Sequence, residues 1–382
     1  MIAPDYQGGS IVNLVTSIAQ ALGSDAPDYP PLRELAAQSL GSRNVVLLVV
    51  DGMGYENLAA NASEGSLAAH LKARITSVFP STTATAITTF YTGTAPQQHG
   101  LTGWFTYFPE LGGVIAPLPY RPRAVGEALA VPATEAFGHV PIFDRLRARS
   151  FVVAPQRIAH SEFSTAHAGA AEIVPFETLE QMFAAVERIV RAPGERRYVY
   201  AYWPELDTLA HEHGIGSREA LGQLAEIDAA FGRFLRAVGG TDTAVIVTAD
   251  HGFVDRSQDQ AIVLDEHPEL AETLRLPLCG EPRAAFCYVH AHLRGRFIDY
   301  VTRRLGAFIE VSDSRALLEA GFFGAGPPHP RLAERIGDFT LIAKDAASIK
   351  DWVPGEKRHF HIGVHGGTST REMYVPLIVA QV

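Results

Sequence analysis

Four places along the chain set aspartate and histidine where they can converge on one centre. Asp51 closes the apolar run 44–50 and is followed by Gly52, Met53 and Gly54. Flanking glycines let the backbone turn sharply beside a ligand. Asp207 and His211 are four residues apart, which puts both side chains on one face of a helical turn. Asp250 and His251 are adjacent before Gly252, and at a strand-to-loop turn both can approach one metal. His365 precedes Gly366 and Gly367, where bare backbone admits close approach to a site. Singly, each has an ordinary explanation: a strand-end aspartate caps the next helix, Asp-x-x-x-His recurs by chance, and Asp-His-Gly makes a surface turn. Together they supply three carboxylates and three imidazoles. That set fits two mixed nitrogen–oxygen divalent sites. Zinc suits such ligands best, and manganese accepts this much carboxylate. Two metals about 4 Å apart clamp both the attacking and the leaving oxygen of an in-line displacement. His359 and His361 alternate with His365 and are expected to support the site or to be exposed. His213 is read as a bystander.

A nucleophile has a natural place after Pro80. The stretch 78–93 begins as a strand, breaks at Pro80, and continues through Ser81, Thr82 and Thr83 into a helical run that ends at Gly93. A hydroxyl at a helix N-terminus lies in a positive field among free N–H groups, which suits a phosphate. A metal would lower the hydroxyl pKa and activate it. Any one of the three hydroxyls also serves as an ordinary N-cap.

These residues need a scaffold that brings distant segments to one edge. The runs 44–51, 198–207 and 243–250 are rich in β-branched and aromatic residues and each ends in an acid, as in strands buried on both faces of a parallel sheet. Between the last two, Leu221, Leu224, Ile227, Phe231, Phe234, Leu235 and Val238 mark one face of a helix over 217–238, closed by Gly239 and Gly240. Strand, helix, strand means an α/β fold with right-handed crossovers, and ligands of such sheets sit beyond the carboxyl ends of the strands. Asp51, Asp207 and Asp250 follow three such ends. The expected fold is a mostly parallel central sheet with helices on both faces and an inserted α+β cap lobe. Its expected domains are a metal-binding catalytic core from 1–254 and 331–382, with the lobe at 255–330. The stretch 101–172 is read as pocket-lining loops and helices.

Composition narrows the partners. A net charge of −10 lacks the basic stripe that a nucleic-acid backbone requires, while a metal site supplies local positive charge for a small phosphorylated substrate. Cys279 and Cys287 make neither a zinc knuckle nor a disulfide framework and are read as buried thiols. Ile11, Val12, Leu14, Val15, Ile18 and Leu22 fit a helical face better than a signal peptide, and no run is long enough to cross a membrane. The expectation is a soluble cytoplasmic protein.

The ordered set of Asp51-Gly-Met-Gly54, Phe79-Pro-Ser-Thr-Thr83, Thr92-Gly93, His99-Gly100, Asp207-x-x-x-His211, Asp250-His251-Gly252 and His365-Gly366 resembles the alkaline phosphatase superfamily. Within it the chain is most similar to the type I phosphodiesterase and nucleotide pyrophosphatase family, over 45–367. The resemblance implies Thr83 as the nucleophile, with a phosphothreonine intermediate and two zinc ions. It implies that Asp207, His211 and His365 hold one ion and Asp51, Asp250 and His251 the other. One departure bears on substrate. Diesterases of the family commonly carry an asparagine shortly after the His-Gly that matches His99-Gly100. Here the chain reads Leu101-Thr-Gly-Trp104. Trp104, Phe105 and Tyr107 are candidates to stack on a base or aryl group, or to pack the pocket wall. A phosphomonoesterase, for which Arg121, Arg123 and Arg157 would offer the added cation, and a phosphonoacetate-type hydrolase are the alternatives with the same metals. A phosphoglycerate mutase would use serine in a longer chain, and a sulfatase would need a Cys/Ser-x-Pro-x-Arg motif that is absent. The remote alternative is a non-catalytic, metal-stabilised binding protein, in which Thr83→Ala would leave the biological role intact.

Overall fold

The computed structural model describes residues 1–24, 28–124 and 128–382, the side chain of Gln258 excepted. Six strands lead the chain: β1 (Asn44–Val50), β2 (Leu71–Thr76), β3 (Arg149–Pro155), β4 (Glu172–Phe176), β5 (Arg197–Trp203) and β6 (Thr243–Thr248). Four more, β7 (Cys279–Glu281), β8 (Ala284–Cys287), β9 (Ile309–Asp313) and β10 (Phe339–Ala343), precede the final β11 (Tyr374–Gln381). The central sheet has the order β2-β11-β6-β1-β5-β3-β4. β6, β1, β5, β3 and β4 pair in parallel, and β11 runs antiparallel to both β6 and β2. The three runs read as buried strands are β1, β5 and β6, each buried along its whole length.

The sheet is wider than those three runs. β3 and β4 lie in or at the end of 101–172, the stretch expected to form only loops and helices. Ser150-Phe-Val-Val-Ala154 is an apolar run too short to stand out beside the Pro- and Gly-rich segments around it. The rest of that stretch includes a small sheet of Thr106–Phe108, Gly113–Ala116 and Arg121–Pro122.

Helices cover both faces by burying apolar stripes. They are α1 (Ile11–Ala21), α2 (Thr83–Thr92), α3 (Leu179–Arg191), α4 (Glu205–His213) and α5 (Arg218–Ala237). In α1, Ile11, Val12, Leu14, Val15 and Ile18 are buried, which is the face expected from the sequence. The N-cap of α5 is Ser217, whose hydroxyl accepts from the Ala220 N–H at 3.1 Å. Leu224, Ile227, Phe231, Phe234 and Val238 are buried, while Leu221 and Leu235 lie at the margin of the stripe. No helix among the described residues is long and apolar enough to cross a membrane.

A second sheet, β7-β8-β10-β9, is antiparallel, with one apolar cluster of its own and another that it shares with Phe79 and Val114. It runs past residue 330, because β10 pairs with both β8 and β9. Ser348–Lys350 then pairs with Ala261–Val263. One buried ion pair ties this sheet to the core. Arg283, between β7 and β8, donates from Nε to Glu372 Oε1 at 2.9 Å and from Nη2 to Oε2 at 2.7 Å. The same carboxylate accepts from the Gly367 N–H at 2.8 Å. Burial pushes the Glu372 carboxyl up, but the Arg283 charge and these hydrogen bonds hold it below its usual range. Arg283→Met leaves a buried charge without its partner, and the expected cost is about 3–5 kcal/mol of unfolding free energy. Denaturant melts of the two proteins check it. A change under about 1 kcal/mol would show the pair to be dispensable.

Candidate active site

Register brings the strand ends level. Val50 lies opposite Trp203, and Val49 opposite Thr248. Asp51 therefore emerges beside Pro204, which caps α4, and beside the loop that carries Asp250 and His251. Gly52 adopts φ +74°, and a Cβ there would lie 2.4 Å from the Phe253 ring. Its N–H and that of His251 both donate to Asp250 Oδ1 at 3.0 Å. The hydroxyl of Tyr202 donates to Asp51 Oδ2. The outer oxygens of Asp51 and Asp250 are thus fixed by donors, and the inner ones face each other's neighbourhood.

Those inner atoms form two groups around His251. His251 Nε2 is 3.3 Å from Asp51 Oδ1 and 3.4 Å from Asp250 Oδ2. Asp207 Oδ1 is 3.4 Å from His211 Nε2, 3.8 Å from His365 Nε2 and 4.0 Å from His251 Nε2. His211 and His365 bring their Nε2 atoms to 3.2 Å. Asp207, His251 and His365 also form a compact ligand group, so Asp207 and His251 lie where the two groups meet. The structure brings all six candidate ligands together.

The geometry fits divalent cations. Four ligand atoms about 2.0–2.1 Å from a tetrahedral zinc stand roughly 3.3 Å from one another, close to most of the separations above. Asp51 Oδ1, Asp207 Oδ1 and Asp250 Oδ2 are buried without a hydrogen-bond partner among the described residues. Buried anionic oxygens without partners are costly, and cations remove that cost. Burial first, then the charges of Asp207 and Asp250, pushes the Asp51 carboxyl well above its usual range. Burial raises Asp207 as well. A bound cation reverses this logic and keeps both ionised. His211 Nδ1 lies 2.9 Å from the Gly363 carbonyl, which fixes the proton there and leaves Nε2 free to ligate. Burial, then the neighbouring His251 and His211, holds His365 well below its ordinary pKa, in the neutral form that a metal needs.

Thr83 is the first residue of α2, and its Oγ1 is 3.2 Å from His251 Nε2. Its neighbours are engaged elsewhere. Ser81 donates to the Gly367 carbonyl at 2.8 Å, and Thr82 donates to Glu281 Oε1 at 2.7 Å. A cavity of about 910 Å³ opens over Thr83, Asp207, His211 and His365. Trp104, 41% exposed, and Phe105 line it. Tyr107 is not among its lining residues and packs edge-on against Tyr288 at 5.2 Å. Arg121 and Arg123 both line the cavity, and Arg123 is ion-paired with Asp351 and Glu356. His361 sets its ring 4.3 Å from that of His211.

Three contributors escape sequence reasoning. Tyr202 sits inside a strand that reads only as apolar, and Glu372 lies outside every motif. Glu281 comes from β7, far along the chain, and also accepts from the Trp104 N–H at 2.6 Å. Burial raises its carboxyl to about 7. A carboxyl raised in the folded state loses stability as pH rises from its unfolded value to its folded one. In metal-free protein, the difference in Tm between wild type and Glu281→Gln therefore grows in favour of the variant between about pH 4.5 and 7. Tm measured across that range checks it, and a constant difference would remove the buried acid from this role.

Residues 45–368 match the profile of the type I phosphodiesterase / nucleotide pyrophosphatase family. The chain belongs to that family. It is a phosphoester hydrolase of the alkaline phosphatase superfamily. Among solved structures, murine ectonucleotide pyrophosphatase / phosphodiesterase 5 superposes with TM-score 0.67 at 17% identity, covering 87% of each chain. The human counterpart gives 0.66 at 16%, covering 88% of this chain and 87% of that one. Phosphonoacetate hydrolase from Sinorhizobium meliloti 1021 gives 0.64 at 18%, covering 88% of this chain and 90% of that one. No curated protein matches the chain by sequence.

Proposed function

We propose that this family member is a two-zinc phosphodiesterase or nucleotide pyrophosphatase that works through Thr83. The observation that carries the reading is the Thr83 hydroxyl, 3.2 Å from His251 Nε2, against a cluster whose three inner carboxylate oxygens have no hydrogen-bond partner among the described residues. Asp207, His211 and His365 would hold one ion, and Asp51, Asp250 and His251 the other. When bound, the ions lower the pKa of the Thr83 hydroxyl and offset the charge that develops on the leaving oxygen. Thr83 Oγ1 attacks phosphorus, its bond to phosphorus forms, and the bond to the leaving oxygen breaks. The free N–H groups at the start of α2 face the phosphoryl oxygens. Water then attacks the phosphothreonine, releases the phosphoryl product and restores the hydroxyl. The lobe built on β7–β10 acts as a cap, beginning near residue 255 and, with Ser348–Lys350 paired to it, reaching about 350. Cys279 and Cys287 are buried and unpaired, which suits a reducing compartment and supports a cytoplasmic location.

Phosphonate hydrolysis is the second reading. It is favoured by Leu101-Thr-Gly-Trp104, where the Trp104 N–H is engaged by Glu281, and by the likeness to a phosphonoacetate hydrolase. The deciding experiment is hydrolysis of a p-nitrophenyl diester, the matching monoester and phosphonoacetate by zinc-loaded protein. Preference for the diester supports the first reading. Turnover of phosphonoacetate alone replaces it with the second.

A further inference from the structure

Beyond the metal-binding residues, the cavity wall carries a lysine that makes no ion pair among the described residues. Lys350 lines the cavity and is only partly exposed. Its Nζ contacts His359 alone, at 3.5 Å from Nε2 and 3.4 Å from the carbonyl, and lies over the Trp352 ring at 5.6 Å. Among the described residues it has no carboxylate partner. The two nearby acids are spoken for. Asp351 pairs with Arg123 at 2.7 Å and accepts from the Leu278 N–H at 2.8 Å. Glu356 pairs with Arg123 at 3.0 Å and accepts from the Val353 N–H at 2.9 Å. Behind Lys350, Arg256 is 8% exposed, and its Nε has no partner among the described residues. Among the described residues, its guanidinium makes one hydrogen bond, to the Ser257 carbonyl at 3.5 Å. Burial, then the Arg256 charge, pulls the Lys350 ammonium down to about 8, which leaves it cationic at neutral pH. Arg123, Lys350 and Arg256 carry three positive charges against the two carboxylates of Asp351 and Glu356, and the excess charge is a cost that a bound anion removes.

The patch also has a direction. Lys350, His359 and His361 form a row, with His359 and His361 Nε2 atoms 3.0 Å apart and the His361 ring against His211. The row approaches the ligand group of Asp207, His211 and His365. Thr83 lies beside His251, where the two groups meet, and makes no hydrogen bond to His211, His361 or His359. An in-line displacement places the leaving oxygen opposite the nucleophile, so the row extends on the leaving side. We propose that Lys350, backed by Arg256 and flanked by His359, binds a second oxyanion, a carboxylate or a phosphate, carried by the leaving portion of the substrate. This rests on the hydrolase reading above and narrows it to substrates whose leaving group is itself anionic. Two imidazoles separate Lys350 from His211, so the second anion stands about an aromatic ring away from the reacting phosphorus.

The test is calorimetric binding of three non-hydrolysable ligands to zinc-loaded protein: phenylphosphonate, 3-carboxyphenylphosphonate and 1,3-phenylenediphosphonate. At least one of the two bifunctional ligands binds wild type about tenfold or more tighter than phenylphosphonate, as a charge-assisted contact predicts. Which one gains more identifies the carboxylate or the phosphate as the natural partner. In Lys350→Met, which keeps an apolar stem against Trp352, that advantage falls below about twofold, and Lys350→Arg retains most of it. Equal affinities for all three in wild type, or a parallel loss of all three in Lys350→Met, overturns the subsite. Turnover of the p-nitrophenyl diester is measured on the same preparation. Turnover without the binding preference removes only the subsite. The preference without turnover of any ester or phosphonate removes only the hydrolase reading.

Discussion

Thr83→Ala lowers kcat on the preferred phosphoester by a factor on the order of 10⁴ or more, while zinc content and Tm stay near wild type. The size follows from the chemistry. Removing an attacking atom forces water to act directly and forfeits the pre-positioned nucleophile, and comparable deletions cost on the order of 10⁶ in kcat in a serine hydrolase. The selectivity follows from the geometry. Thr83 Oγ1 is near only His251 in the cluster, at 3.2 Å, and no ligand residue depends on it for orientation. The Thr82 hydroxyl, committed to Glu281, and the Ser81 hydroxyl, committed to Gly367, are not free to substitute. Thr83→Ser retains the oxygen and keeps much of the rate. If Thr83→Ala hydrolyses within about tenfold of wild type, the covalent route through this residue is excluded.

Asp250→Ala loses metal and activity together. Asp250 divides its labour, since Oδ1 accepts from the Gly52 and His251 N–H groups while Oδ2 faces His251 Nε2 without any other partner. The variant removes both a ligand and the anchor of the loop that presents another. The expected loss in kcat/KM is at least roughly 10³-fold, beyond the 10–100-fold usual for groups that only support a ligand. Stripping the wild type with a chelator produces a related effect on stability. The buried carboxylates of Asp51, Asp207 and Asp250 then face one another without cations. With metal in about thousandfold excess over its dissociation constant, the loss is about 4 kcal/mol, a fall in Tm of roughly 5–10 °C. Metal analysis beside a thermal melt reads both effects. An Asp250→Ala protein with full metal content and full activity would take the residue out of the centre.

The parts of this molecule that sequence reveals are those where chemistry and local pattern coincide. β1, β5 and β6 are buried on both faces, so their apolar runs are uninterrupted, and the acids that follow them stand out by contrast. Asp207 and His211 are legible because a helical turn fixes their relation. β3 and β4 are hidden because short strands amid turn-rich chain have no period long enough to read; β3 is placed by pairing with β5, and β4 by pairing with β3. Tyr107 illustrates the opposite failure. Its ring packs edge-on against Tyr288, a residue far along the chain, so nearness in sequence to Trp104 and Phe105 does not carry it into the cavity. Glu281 comes from a segment far along the chain from the nucleophile motif, and only the return of the β7–β10 region brings it to Thr82. Lys350 meets His359 nine residues on, through a turn that no motif marks.

Acid-quenched mass spectrometry of zinc-loaded protein mixed with its phosphoester substrate tests the phosphothreonine intermediate most directly. The expected result is a peptide containing Thr83 that gains the mass of the transferred phosphoryl group during turnover, with the modification mapped to Thr83 and absent from Thr83→Ala. Steady turnover with unmodified Thr83 at every quench time, and undiminished turnover by Thr83→Ala, would contradict it.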